Sequence, residues 1–245
     1  MAKDIFDREI FRRTLKQPAG IKNWPELSAS QIEAFEKHAA LILEANQKFN
    51  LTRITDPEAM AAKHYLDSLA CTLVIDFPQL TIVCDIGSGA GFPGIPLAII
   101  FPEIQFMLLE SQQKKAGFLF QAIQELGLIN CQVRAERAEN TGRGELREGF
   151  DLVTARGVAA LPVAAELALP LVKIGGFFLA MRGKNENNAE KNKHIFDNYG
   201  GQEAKESIFS LPGAGERTLI LVEKIAITPE KYPRRPGIPQ KRPLK

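Results

Sequence analysis

The chain has 245 residues, of which 45% are apolar and 24% charged, and its formal net charge is +2. That is enough for one sizeable α/β core plus an extension, folded without disulfide or metal support. Charges recur through the first 20 residues with no apolar stretch behind a basic one, so neither a signal peptide nor a membrane span is expected, and the cytoplasm is the expected compartment. Cys71, Cys84 and Cys131 lie in or beside apolar runs, share no short spacing and leave an odd count, as reduced core residues do. His38, His64 and His194 form no ligand cluster with them, and no metal site is expected.

From the amino end, Ile5, Phe6, Ile10, Phe11 and Leu15 recur as one helical face before Pro18-Ala19-Gly20 interrupts it. Ser30 followed by Glu33 suggests a capping box for a long helix carrying Ile32, Phe35, Ala39, Ile42 and Phe49. Asp56-Pro57 suggests the start of the next helix, running toward Val74, with His64 on the same face as Asp67 or Ser68. Residues 1–75 therefore read as an N-terminal helical extension, 76–226 as an α/β core and 227–245 as a basic, proline-rich tail.

The core begins with an apolar run at 80–86 that ends in Asp85 and the loop Gly87-Ser88-Gly89-Ala90-Gly91. A buried strand, a glycine turn and a helix started by Pro93 or Pro96 make the first unit of a nucleotide- or nucleoside-binding α/β domain. Gly87 and Gly89 match the first two positions of G-x-G-x-x-G but Phe92 takes the third, which disfavours pyrophosphate. Glu110, at the end of the next apolar run, is placed to accept hydrogen bonds from ribose hydroxyls, a reading shared by NAD and S-adenosylmethionine. Beyond it the pattern predicts helices at 93–101, 114–127 and 159–171, and strands at 104–110, 130–135, 151–155 and 176–181. A polar run at 184–193 reads as an exposed helix or loop, and strands at 206–211 and 217–224 flank Pro212-Gly213-Ala214-Gly215 as a closing hairpin.

In such a sheet the ligand lies beyond the carboxyl ends of the strands, which assembles Asp85 to Gly91, Glu110, the Ala138-Glu139 region and Arg156 into one site. Arg156 directly follows a buried-looking run, so it must reach solvent, a carboxylate or a substrate. From residues alone, a structural ion pair is as good a reading as a functional one. His64 with Asp67 reads more readily as a surface pair or packing hydrogen bond than as a substrate contact. Residues 231–245 hold six basic residues and no acid, leaving 25 basic against 29 acidic residues elsewhere. The tail suits a local polyanion contact or a solubilising disordered segment equally well. No Walker lysine follows the glycine loop, which disfavours ATP hydrolysis.

These residues in this order resemble the bacterial small-subunit ribosomal RNA guanine-N7 methyltransferase family, also called RsmG or glucose-inhibited division protein B. The likeness rests on Asn46 with Phe49-Asn50-Leu51-Thr52, His64 with Asp67-Ser68-Leu69, the run from Asp85 through Ala98, Glu110-Ser111 with Lys114-Lys115, Arg137-Ala138-Glu139, and Thr154-Ala155-Arg156-Gly157-Val158-Ala159. It covers residues 25–225 and implies a Rossmann-like class I S-adenosylmethionine-dependent methyltransferase fold. The sheet would be mostly parallel, with helices on both faces and a C-terminal antiparallel hairpin. The resemblance assigns Asp85, Gly87, Gly89, Phe92, Glu110, Ala138, Glu139 and Arg156 to S-adenosylmethionine, with Arg156 also as the catalytic positioning residue. Asn50, His64, Arg182, Arg234 and Arg235 become the expected substrate-binding residues. The implied partner is 16S ribosomal RNA, free or within the small subunit, bound by a monomer with no DNA or membrane partner. Two departures are visible: Gly157 stands where many members have alanine, and Arg182 where lysine is usual. The open alternatives are a methyltransferase acting on another RNA or a small molecule, a non-catalytic ribosomal RNA-binding protein and, more weakly, an NAD-dependent enzyme.

Overall fold

The apolar runs become β1 (Ile82–Ile86), β2 (Gln105–Leu109), β3 (Cys131–Arg134), β4 (Phe150–Arg156), β5 (Val172–Gly183), β6 (Lys205–Leu211) and β7 (Gly215–Glu223) of a computed structural model. The structure describes residues 6–183 and 193–244, apart from positions 17, 19, 20, 22, 23 and 203. The strands form one sheet in the order β3-β2-β1-β4-β5-β7-β6. Strands β1 to β5 pair in parallel, whereas β7 runs antiparallel to both β5 and β6. Because helices cover both faces, both side-chain registers of the central strands are apolar. Val83, Leu108, Leu152 and Leu179 enter one cluster, and their neighbours Cys84, Leu109, Val153 and Phe178 enter the other.

The first cluster is covered by α1 (Arg8–Leu15), α2 (Ala29–Asn46), α3 (Pro57–Met60), a π-helical segment (Ala61–Leu66), α4 (Asp67–Leu69) and a 3-10 turn (Ala70–Leu73). The helices α5 (Gly94–Ile100) and α6 (Gln113–Leu126) complete that layer, so the N-terminal helices and the sheet share one core. The capping box of α2 is not Ser30 with Glu33 but Ser28 with Gln31, which exchange both reciprocal bonds. The helix starts at Ala29, so Ser30 is already inside the first turn and cannot cap it. The segment from Asp56 runs to Leu73 as expected, with the Asp56 side chain and Pro57 at its start.

The second cluster is covered by α7 (Ala138–Thr141), α8 (Leu161–Ala168) and α9 (Lys193–Asp197). Most of the polar run expected at 184–193 lies outside the described residues. The basic tail is not a free segment over 227–244. Tyr232 is buried edge-on against Tyr199, and Arg147 donates to the carbonyls of Thr228 and Tyr232 at 2.6 and 2.8 Å. Its prolines do not exclude helix: α10 (Ile238–Lys241) is a single turn that carries Pro239 in its first positions, where no donor is missed.

Gly94 shows how tightly the first loop is folded onto the sheet. A Cβ there would overlap Leu108 and lie 3.1 Å from Asp85 Oδ2. Gly94→Ala should therefore lower stability by about 1–3 kcal/mol, the usual cost of overpacking. Urea unfolding of both proteins checks this, and an unchanged midpoint would show that Leu108 yields freely.

Candidate active site

The site is built on loops that buried carboxylates hold in place. Gly87 and Gly89 have φ of +67° and +58°, left-handed conformations that favour glycine, and a Cβ on Gly87 would lie 2.8 Å from Val158 Cγ2. Asp85 does not reach into the site as expected. It is buried under the loop, accepting from Thr154 Oγ1 at 2.9 Å and from the Gly94 N–H at 3.3 Å, and burial raises its pKa to about 6. Its part is to position the loop, because a carboxylate facing inward satisfies donors that would otherwise be orphaned. Glu110 is also buried. Its Oε2 accepts from the Gly89 N–H at 3.0 Å and its Oε1 from the Gln112 N–H at 2.8 Å, and each oxygen keeps a second lone pair for a ligand hydroxyl.

Beside Gly87 lies a shallow pocket, partly open to solvent, lined by residues including Ile86, Gly87, Glu136, Ala138, Val158 and Gln240. Apolar walls with a polar rim suit a flat heterocycle whose ribose reaches Glu110. Glu139 borders the pocket, and its Oε1 accepts the Gly237 N–H at 2.9 Å.

On the N-terminal-helix side of the loop, the His64 ring stacks on Phe92 with centroids 4.4 Å apart and 16° between planes. Arg156 Cζ sits 5.3 Å from the centre of the same Phe92 ring. Arg156 donates to the Lys63 carbonyl at 2.9 Å, to Asp67 Oδ2 at 2.8 Å and to His64 Nδ1 at 2.9 Å. A guanidinium can only donate, so the neutral ring carries its proton on Nε2 and donates it to Thr52 Oγ1 at 3.1 Å. The wider turn of the π segment presents His64 and Asp67 to Arg156 together. Asp67 Oδ1 also accepts from Arg217 Nε at 2.8 Å. Asn46 Oδ1 accepts the N–H groups of Leu51 and Thr52, shaping a loop whose Asn50, Thr52, Arg53 and Thr55 line an open polar basin.

His64 and His38 both stay neutral. Burial lowers each pKa to about 3, and the Arg156 charge adds to the effect at His64. His38 supports the glycine loop by donating from Nε2 to the Ala90 carbonyl at 3.0 Å while its Nδ1 accepts from the Tyr65 hydroxyl at 3.1 Å.

The structure thus brings Gly87, Gly89, Phe92, Glu110, Ala138, His64 and Arg156 to one edge of the sheet, with Asn50 on the adjoining basin. Two other expected residues are placed differently, and a third is not. Arg182 is buried and donates from Nη1 to the Ala159 carbonyl, bracing the loop before α8. Arg234 forms a bidentate pair with the buried Glu166, at 2.8 and 2.6 Å, instead of facing an RNA. Arg235 remains exposed. Arg217 and Gln240 are absent from the expected set. Each belongs to a segment distant in sequence, and no local spacing announces either.

Strand order, an antiparallel seventh strand, a glycine loop after β1 and a carboxylate after β2 define a Rossmann-like class I methyltransferase fold. Two solved structures share the fold. Cofactor-bound Rv0187 from MTB is 20% identical with a TM-score of 0.56, over 82% of this chain and 99% of that one. Precorrin-6y C5,15-methyltransferase from Geobacter metallireducens GS-15 is 15% identical with a TM-score of 0.51, over 74% and 96%. Residues 31–216 match the family described as GidB, rRNA small subunit methyltransferase G. Relatives named ribosomal RNA small subunit methyltransferase G are 43% identical in Geobacillus sp. strain WCH70 and 45% in Staphylococcus carnosus strain TM300. These alignments cover 89% of this chain and 93% and 92% of the two relatives. The chain belongs to the rRNA small subunit methyltransferase G family, and it is a methyltransferase.

The neutral histidines have a pH signature. A lowered folded-state pKa makes stability fully present above 6.5 and progressively lost as pH falls toward about 3. Asp85 acts in the opposite sense, its contribution present below 3.8 and lost as pH rises through about 6. Denaturation midpoints between pH 8 and 4.5 should fall less steeply for His64→Gln than for the unsubstituted protein. Equal slopes would mean that His64 titrates normally in the folded state.

Proposed function

We propose that this chain transfers a methyl group from S-adenosylmethionine to N7 of one guanine in 16S ribosomal RNA. The observation that carries the reading is the placement of Phe92, His64 and Arg156 at the glycine loop, between the pocket beside Gly87 and the open basin of Asn50 and Arg53. Family membership supports both the methyl donor and the RNA acceptor. Among the described residues no helix is long and apolar enough to cross a membrane.

The residues fit the donor. Glu110 has lone pairs that would take the ribose hydroxyls, Ala138 and Val158 would wall the purine, and the backbone at Gly87 and Gly89 would hold the methionine portion. When bound, S-adenosylmethionine supplies an electrophilic methyl that guanine N7 takes with its lone pair, the S–C electrons returning to sulfur. N7 of a neutral guanine carries no proton, so the reaction needs no general base. The site agrees with this, since both nitrogens of His64 are engaged and its pKa of about 3 leaves it a weak base. Catalysis then rests on holding the acceptor in line. Buried Phe92 backs the stacked His64 ring and the Arg156 guanidinium, so the acceptor meets Arg156, held by Asp67, and the exposed Asn50 amide. Because N7 lies in the deep, narrow groove of paired RNA, the target belongs in a loop, bulge or junction.

The test is transfer of labelled methyl to 16S RNA and to small subunits lacking their natural modifications, followed by nucleoside analysis. N7-methylguanosine at a single site is expected; no transfer to either substrate, with cofactor binding measured, would overturn the reading. Arg156→Ala should keep the fold and lower kcat/KM by about 10²-fold, the scale of a misplaced reactant. An unchanged value would remove Arg156 from the site.

A further inference from the structure

We infer that the C-terminal segment is part of the nucleoside site, and that Gln240 reads the edge of the bound adenine. This deepens the proposed use of S-adenosylmethionine and rests on it. The segment is tied to the core on both sides of the pocket. Arg234 grips Glu166, which is 1% exposed, through Nε and Nη2. Arg143 donates to the Pro233 carbonyl at 2.7 Å, and the Gly237 N–H donates to Glu139 at 2.9 Å. The last tie fixes the chain against the residue that borders the pocket, immediately before α10.

The consequence is a wall contributed by residues far along the chain. α10 packs on α8, and Gln240 lines the same pocket as Gly87, Ala138 and Val158. Ile86, Leu109, Ala138, Val158 and Leu167 grip any flat ring alike. Of the polar lining, Glu136 and Glu139 already accept from groups of this protein and Arg137 can only donate, whereas a primary amide presents a donor and an acceptor side by side. Adenine presents the matching pair, an amino donor beside a ring-nitrogen acceptor, on the edges that carry N6. At the N6/N7 edge, the one Gln240 is taken to read, a hypoxanthine ring presents two acceptors, and neither orientation of one amide pairs with both. Gln240 is exposed, so its substitution removes a rim group and leaves in place the buried Tyr232 and the bonds of Arg234 to Glu166 and of the Gly237 N–H to Glu139.

The experiment is calorimetric titration of the full chain, without RNA, with S-adenosylhomocysteine and with its hypoxanthine analogue, S-inosylhomocysteine. The unsubstituted protein should prefer the adenine compound. Gln240→Ala should weaken S-adenosylhomocysteine about tenfold, the loss expected of a removed ligand hydrogen bond, and should narrow the preference over the analogue. Gln240→Glu should weaken it at least as much, because a carboxylate keeps the acceptor but repels the ring nitrogen. Lys241→Ala, on the same turn, is the control and should bind normally. If the unsubstituted protein binds and both Gln240 variants match it in affinity and preference, the inference is overturned while the cofactor reading stands. If the unsubstituted protein does not bind S-adenosylhomocysteine, the cofactor reading fails and the inference with it.

Discussion

Asp67 joins the helical segment to the sheet at the reaction end. Its two oxygens take one guanidinium from the end of β4 and one from the start of β7, with side-chain exposures of 10% for Asp67 and 19% for each arginine. Two arginines brought this close in a half-dry setting repel each other, and the carboxylate between them is what makes the arrangement favourable. Through Arg156 the same contact fixes His64, which stacks on Phe92, and Phe92 belongs to the glycine loop. Carboxylates hold the other joints in the same manner. Glu110 accepts backbone N–H groups from the glycine loop and from the approach to α6. Asp151 does so from Thr81 and Ile82 at the entry to β1, and Glu148 from Thr228. Loops that change direction leave donors without ladder partners, and an acidic side chain satisfies them without constraining the next strand.

The electrostatics of the reaction end follow from competing demands. An RNA acceptor favours positive charge, because every nucleotide brings a phosphate. Alkylation at a purine nitrogen makes the base itself cationic, so positive charge beside the ring opposes the chemistry. Asp67 offsets the cations nearest Phe92, and the burial of His64 keeps a further one from forming. Arg53, on the outer basin, remains able to meet a phosphate without acting on the ring. Among the described residues, the division leaves unpaired positive charge outside and, inside, two guanidinium groups held by one carboxylate.

Much of this arrangement was legible in the sequence because it is local. Residues 80–94 specify strand, turn and helix in consecutive positions, and the observed glycine conformations and Glu110 contacts follow that pattern. The strands and the closing hairpin were legible for the same reason, since a short apolar run and a glycine-rich turn are short-range signals. The start of α2 was misjudged by one pattern match: Ser30 and Glu33 fit the capping spacing as well as Ser28 and Gln31 do, and only the chain's entry direction decides between them. Asp85 was placed correctly by strand end and misassigned in task, because spacing locates a residue but does not say which way its carboxylate turns.

The largest gap concerns charge, and it has a general cause. Counting basic residues treats every guanidinium as available to a polyanion. Yet Arg143, Arg147, Arg156, Arg182, Arg217 and Arg234 all donate to groups of this protein. Arg234 and Arg235 are adjacent in a segment that reads as uniformly basic, and they have opposite fates. Glu166 lies buried on α8 and is compensated by the guanidinium that faces it, so one arginine is drawn inward while its neighbour stays at the surface. A buried carboxylate more than sixty residues away thus decides what the tail does. The number of basic residues in a sequence is an upper bound on the charge it offers to RNA, and here the difference is spent on holding the site together.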